Sequence, residues 1–247
     1  MTTSAESYPK RHYLAAAIAR APGGYSVTLD GRVPRTPAGG RLVLPREALA
    51  QLVATEWAAQ GECVVLPSMP ATRLAHVALD AAPAAHDELA TRMAEFAAHD
   101  LLCYFADAPT ELVARQEATW APLLAWAEAE LGLTFLRSAG VTHLDQPPAT
   151  LEAVRRLAAG LDDFALTGLV AAAQLFGSAI LALALMRGRL GGPQAFAISQ
   201  LDETYQVETW GEDAEAAARR AAMASDARML GDWFRALSSG DAAASTG

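Results

Sequence analysis

Residues 164–186 read FALTGLVAAAQLFGSAILALALM, 23 residues without a charged side chain. That length suffices to cross a bilayer as a helix. The stretch nevertheless contains Thr167, Gln174 and Ser178, many alanines and two glycines, and the helices predicted around it are amphipathic. A helix that is apolar on all sides also forms the centre of a globular bundle. We therefore expect a buried central helix rather than a membrane span.

The chain on both sides of this stretch is predicted to be helical from about residue 71 onward, because apolar residues recur with helical spacing between breaks at proline and glycine. The predicted helices are 71–81, 84–106, 109–131, 148–160, 163–187, 193–207 and 213–238. Residues 133–136 are predicted to form a short strand between two of them.

The first third of the chain has the pattern of strands and turns. Residues 25–29 (YSVTL) alternate with period two, and Asp30-Gly31 follows as a hairpin signal. The predicted strands are 25–29, 32–35, 41–44 and a short one at 64–66. Between the last two, residues 46–60 have helical spacing and end at Gly61.

These patterns predict an α+β protein with a small antiparallel β-rich N-terminal domain followed by a larger all-helical domain. The predicted domains are 1–80, which includes one helix, and 81–240, with a frayed tail at 241–247.

The composition excludes several classes of protein. Hydrophobic residues make up 52% of the chain, which is typical of a folded globular protein. The net charge of −9 disfavours binding to nucleic acid or to an anionic membrane, whereas a basic patch on a protein partner would be attracted. Residues 1–11 lack the apolar core of a signal peptide, and two cysteines cannot form a disulfide framework, so we expect a reducing, cytoplasmic location.

No motif for nucleotide or covalent chemistry stands out, since the chain has no P-loop, no dinucleotide fingerprint and no nucleophile elbow. One alternative to a binding protein is a metal-dependent hydrolase that uses His76, Asp80, His86 and His99. However, there is no HExxH motif, and His86 and His99 are thirteen residues apart, so they diverge on a helix.

Trp210 is the most suggestive aromatic residue. It stands at a helix break, followed by Gly211 and acidic residues, in the sequence TYQVETWGED at 204–213. An aromatic side chain in this setting is either a packing plug or an anchor for a partner. The sequence leaves both interpretations open.

Four stretches, in this order and spacing, carry a resemblance to a known family over roughly residues 10–237. They are Lys10–Tyr13 with 23–45, ATEWAAQGE (54–62) with LPSMPATRLAHVALD (66–80), HDLLCYFAD (99–107) with Arg115-Gln116 and 120–124, and QLDETYQVETWGEDAEA (200–216). The chain resembles the α-proteobacterial and mitochondrial assembly chaperones for the F(1) sector of ATP synthase, in the branch that handles the α subunit.

The resemblance implies a non-catalytic protein that needs no cofactor, metal or small-molecule substrate. Its partner would be the newly made α subunit of F(1), held at the surface that later meets β. It implies a location in the bacterial cytoplasm, or in the mitochondrial matrix if the source is eukaryotic. In this family the functional acidic motif lies in the last of the four stretches, so the resemblance implies that the partner-binding residues are Asp202, Glu203, Trp210, Gly211 and Glu212.

Overall fold

The computed structural model describes residues 8–140 and 144–239, which pack into two compact units. The first unit holds residues 8–83 and 235–239, and the second holds the described residues between 84 and 234. The fold is α+β, with a small antiparallel sheet followed by a mostly helical part, as the sequence predicted. The division into domains 1–80 and 81–240 stays a prediction, because compact packing does not show that either part folds alone. The predicted tail, 241–247, lies outside the described residues.

The first unit contains a three-stranded antiparallel sheet in the order β1 (Ala16–Ala21), β2 (Gly24–Leu29), β3 (Val43–Leu44). Strand β1 was not predicted, because its sequence, AAIARA, has four alanines and a single β-branched residue, Ile18. The predicted strand at 32–35 is wrong. It forms only isolated bridges, from Leu29 to Arg32 and from Arg35 to Arg41, since Pro34 has no N–H to extend a ladder.

Gly24 is required where β2 begins. Its φ is +148°, and a Cβ at this position would lie 2.1 Å from the carbonyl oxygen of Leu44 on β3. Glycine therefore permits both the turn after β1 and the close approach of β2 to β3.

Two helices complete the first unit, α1 (Glu47–Ala58) and α2 (Pro70–Asp80). Glu56 of α1 accepts hydrogen bonds from the backbone N–H groups of Ala71 and Thr72, each at 2.7 Å, and from the Thr72 hydroxyl at 2.7 Å. One side chain thus satisfies the open N-terminus of the neighbouring helix. The strand predicted at 64–66 is wrong, because Leu66–Ser68 form a 3-10 turn that leads into α2.

The second unit is built from helices and one short parallel pair of strands. The helices are α3 (Ala82–Ala98, whose first residues lie in the first unit), α4 (Thr110–Leu131), α5 (Pro148–Ala159), α6 (Asp163–Phe176), α7 (Ala179–Met186), α8 (Gly192–Ser199), α9 (Leu201–Trp210) and α10 (Ala214–Ser238, whose end lies in the first unit). The strands are β4 (Tyr104–Phe105) and β5 (Ser138–Ala139).

Two predictions fail between these elements. The helix predicted over 84–106 ends at Ala98, where Asp100 begins a 3-10 turn. The strand predicted at 133–136 is absent, because the side-chain amide of Gln146 binds both the N–H and the C=O of Leu136 at 2.9 Å. A side chain here takes the place of a neighbouring strand.

The apolar stretch at 164–186 forms two helices, so the predicted single helix over 163–187 is wrong. Gly177 adopts left-handed backbone geometry (φ +63°) and ends α6, and Ser178 caps α7 by accepting a hydrogen bond from the Leu181 N–H at 3.0 Å. Residues Ala179–Leu185 are all buried. No helix among residues 8–140 and 144–239 combines the length and the apolarity needed to cross a membrane.

The break between α6 and α7 is held by Asp100, which is fully buried. Its carboxylate accepts hydrogen bonds from the Ser178 hydroxyl at 2.7 Å, the Ile180 N–H at 2.9 Å and the Leu102 N–H at 3.0 Å. Burial raises the pKa of Asp100 to about 6, although these three bonds act in the opposite direction. A buried acid therefore fixes the position of the most apolar helix.

Candidate functional site

Helix α9 carries two of the three predicted acidic residues, Asp202 and Glu203, and the structure places them on different faces. The helix predicted over 193–207 is in fact two helices, α8 and α9, which meet at Gln200. On one face, Asp202 accepts a hydrogen bond from the side-chain amide of Gln116 at 2.7 Å. Gln116 is buried in α4, and its side-chain carbonyl oxygen accepts a hydrogen bond from the Ala106 N–H at 2.7 Å. Burial raises the pKa of Asp202.

Arg115 of α4 adds two contacts to the same face. Its guanidinium donates to Glu208 at 2.6 Å and lies 5.3 Å from the centre of the Tyr205 ring. It also donates to Glu111 at 2.8 Å within its own helix. Asp202, Tyr205 and Glu208 are spaced by three residues, so they share the side of α9 that faces α4. The contacts on this side hold α9 against α4.

The opposite side of α9 lines a groove of about 540 Å³ against α10. Its lining includes Glu203, Val207, Trp210, Gly211, Glu212, Arg219, Arg220 and Met223. The Trp210 side chain is 77% exposed, an unusual state for a large aromatic residue. Glu203 is exposed, and in the described part of the chain it forms no ion pair. Glu212 pairs with Arg220 across the groove.

Backbone geometry at Gly211 sets the direction in which the chain leaves α9. Its φ and ψ are +84° and 176°, a region that other residues rarely adopt. Asp213 then caps α10 by accepting a hydrogen bond from the Ala216 N–H at 2.8 Å. The sharp turn ends α9 at Trp210, which leaves its indole at the rim of the groove.

The structure therefore brings together four of the five predicted site residues. Glu203, Trp210, Gly211 and Glu212 line one groove, whereas Asp202 contacts α4 instead. Sequence reasoning missed the residues of α10 that form the other wall, Arg219, Arg220 and Met223. The only sequence signal for them was the charge reversal from the acids at 212–215 to Arg219-Arg220.

Two residues of the metal-hydrolase alternative, Asp80 and His86, are engaged in separate contacts. Asp80 accepts hydrogen bonds from the Thr36 hydroxyl at 2.6 Å and the Ala38 N–H at 2.9 Å. The Nδ1 atom of His86 lies 2.8 Å from a carboxylate oxygen of Asp163, and its Nε2 atom lies 3.2 Å from the Ala159 carbonyl oxygen. Within residues 8–140 and 144–239, no three His, Cys, Asp or Glu side chains are grouped so that they could hold a metal ion. Nothing in the geometry supports that alternative.

The groove has the properties of a protein-binding surface. An exposed tryptophan, flanked by carboxylates and arginines and backed by Val207 and Met223, can anchor an apolar side chain and orient polar ones.

Comparison with known proteins identifies related chaperones. Residues 10–128 match the family model of the ATP12 chaperone protein. The mitochondrial protein atp12 of Schizosaccharomyces pombe is 30% identical over 197 residues, which cover 75% of this chain and 68% of the yeast protein.

Solved structures are similar over nearly the whole chain. The crystal structure of Atp12 from Paracoccus denitrificans is 39% identical, has a TM-score of 0.85, and covers 92% of this chain and 97% of its own. A mutant of that protein in which an aspartate is replaced by lysine superposes equally well. A protein from Agrobacterium tumefaciens is 41% identical, with a TM-score of 0.87 and coverage of 93% of this chain and 86% of its own.

Proposed function

Since this chain belongs to the ATP12 chaperone family, we propose that it is an assembly chaperone of the ATP synthase F(1) sector that binds the newly made α subunit. It covers the surface of α that later contacts β, and it releases α when the hexamer forms. It catalyses no reaction and needs no cofactor. It works in the bacterial cytoplasm, or in the mitochondrial matrix of a eukaryote.

The observation that carries this proposal is the exposed indole of Trp210 beside the groove between α9 and α10. A large aromatic side chain left 77% exposed contributes little to the fold, so its burial by a partner would stabilise a complex. We assign Trp210 as the anchor and Glu203 and Glu212 as the charged rim, while Gly211 sets the turn between them. Asp202 supports this surface by holding α9 against α4.

Binding of the isolated α subunit by titration calorimetry tests the proposal. Trp210→Ala should weaken binding at least about tenfold, because anchors of this kind contribute about 2 kcal/mol or more. Glu203→Lys should weaken it about three- to tenfold, mostly through slower association. Neither change should shift the thermal midpoint, since both side chains are exposed.

The matched control is Glu88→Lys, which makes the same charge change at an exposed position on α3. It should bind α like the unmodified protein. If the unmodified protein does not bind α, the proposed function is wrong. If it binds α and the groove variants bind equally well, the groove is not the contact surface.

A further inference from the structure

The sheet region of the first unit carries a charge opposite to that of the whole protein. Residues 8–46 contain seven of the 19 Lys and Arg residues of the chain and one of its 28 Asp and Glu residues. That one acid, Asp30, accepts hydrogen bonds from the backbone N–H groups of Leu14 and Ala15. The net charge of −9 therefore conceals a local excess of positive charge.

Four arginines of the second unit form ion pairs with glutamates of the same unit. The pairs are Arg115 with Glu111 and Glu208, Arg137 with Glu117, Arg155 with Glu152, and Arg220 with Glu212. In the sheet region, Arg32, Arg35 and Arg41 are exposed, and within the described chain none of them forms an ion pair. These exposed positive charges are accessible to a partner.

Arg35 and Arg41 lie directly opposite each other in an isolated antiparallel bridge. Like charges in this arrangement repel and lower stability. Arg35 donates one hydrogen bond to the Gly39 carbonyl oxygen at 2.6 Å, which does not neutralise it. The carboxylate that contacts this turn, Asp80, accepts its hydrogen bonds from Thr36 and Ala38 and not from either arginine.

We propose that this basic surface, defined by Arg32, Arg35 and Arg41, binds an acidic segment of the client protein. The inference rests on the proposed function, because it takes the client to be the α subunit. A protein segment is favoured over nucleic acid, since the strong negative charge of the rest of the chain repels a polyphosphate.

The test is Arg41→Glu, assayed for stability and for binding. The new carboxylate would face Arg35, so a repulsive pair would become attractive and the thermal midpoint should rise by about 1–3 °C. Affinity for the isolated α subunit in 50 mM salt should nevertheless fall about three- to tenfold, and the difference should shrink at 500 mM salt. The matched control, Arg92→Glu on exposed α3 surface, should leave binding unchanged.

The outcomes separate the two proposals. If α fails to bind even the unmodified protein, the proposed function falls, and this inference falls with it. If α binds the unmodified protein and the Arg41→Glu variant equally, only the basic surface is refuted. A fluorescent single-stranded 20-nucleotide DNA is the third probe. If it binds and Arg41→Glu releases it while α binding is unaffected, the surface is a nucleic-acid site and the inference is wrong.

Discussion

Removing the buried carboxylate of Asp100 should strongly destabilise the second unit. Asp100→Ala leaves three donors without their acceptor, the Ser178 hydroxyl and the N–H groups of Ile180 and Leu102. All three donors are buried. Each unsatisfied group costs about 1–3 kcal/mol, and the contributions of a shared network are less than additive. We expect the free energy of unfolding to fall by about 3–5 kcal/mol.

Urea denaturation followed by circular dichroism measures this loss. Asp226→Ala, at an exposed position on α10, is the matched control and should change stability by no more than about 0.5 kcal/mol. A loss below about 1 kcal/mol for Asp100→Ala would refute the reasoning, because it would mean that the three donors find other partners or that the break between α6 and α7 needs no support.

The same residue predicts a dependence of stability on pH. Burial raises the pKa of Asp100 to about 6 in the folded protein, above its value of 3.8 in an unfolded chain. The folded state therefore binds the proton more tightly, and this contribution to stability is complete below pH 4 and lost as the pH rises through 6. Between pH 5 and pH 7, the unmodified protein should lose about 1 kcal/mol relative to Asp100→Asn. An identical pH profile for the two proteins would contradict the assignment.

Two further predictions concern the first unit. Glu56→Ala should lower the free energy of unfolding by about 1–2 kcal/mol, because two backbone N–H groups at the start of α2 and the Thr72 hydroxyl lose their acceptor. Urea denaturation measures this loss, and an unchanged free energy of unfolding would mean that water replaces the carboxylate. Gly24→Ala should cost at least about 2 kcal/mol, because the new Cβ would collide with the Leu44 carbonyl oxygen. Gly61→Ala is its control, since a Cβ there meets nothing within 4 Å, and equal midpoints for the two variants would disprove the close approach.

Much of the candidate site was predictable because its residues are close together in the sequence. Glu203, Trp210, Gly211 and Glu212 lie within ten positions, and a helix followed by a glycine turn brings them to one groove. The separate orientation of Asp202 was not predictable, since it depends on Gln116, 86 positions away. No local pattern specifies which face of α9 another helix will cover.

Local sequence patterns were sufficient to predict the α+β class, the position of most helices and the burial of most of the apolar stretch at 164–186. Hydrophobic spacing and helix-breaking residues express all three within a few turns of chain. Three features became visible only in the folded chain: the break of the apolar stretch at Gly177, the presence of β1, and the bridge that places Arg35 opposite Arg41. Each of these depends on a contact made elsewhere in the chain: Asp100 for the bend, β2 for an alanine-rich strand, and the turn at 36–40 for the arginine pair. A long-range contact forms only when two segments that are distant in sequence come together, so the local sequence of either segment does not predict it.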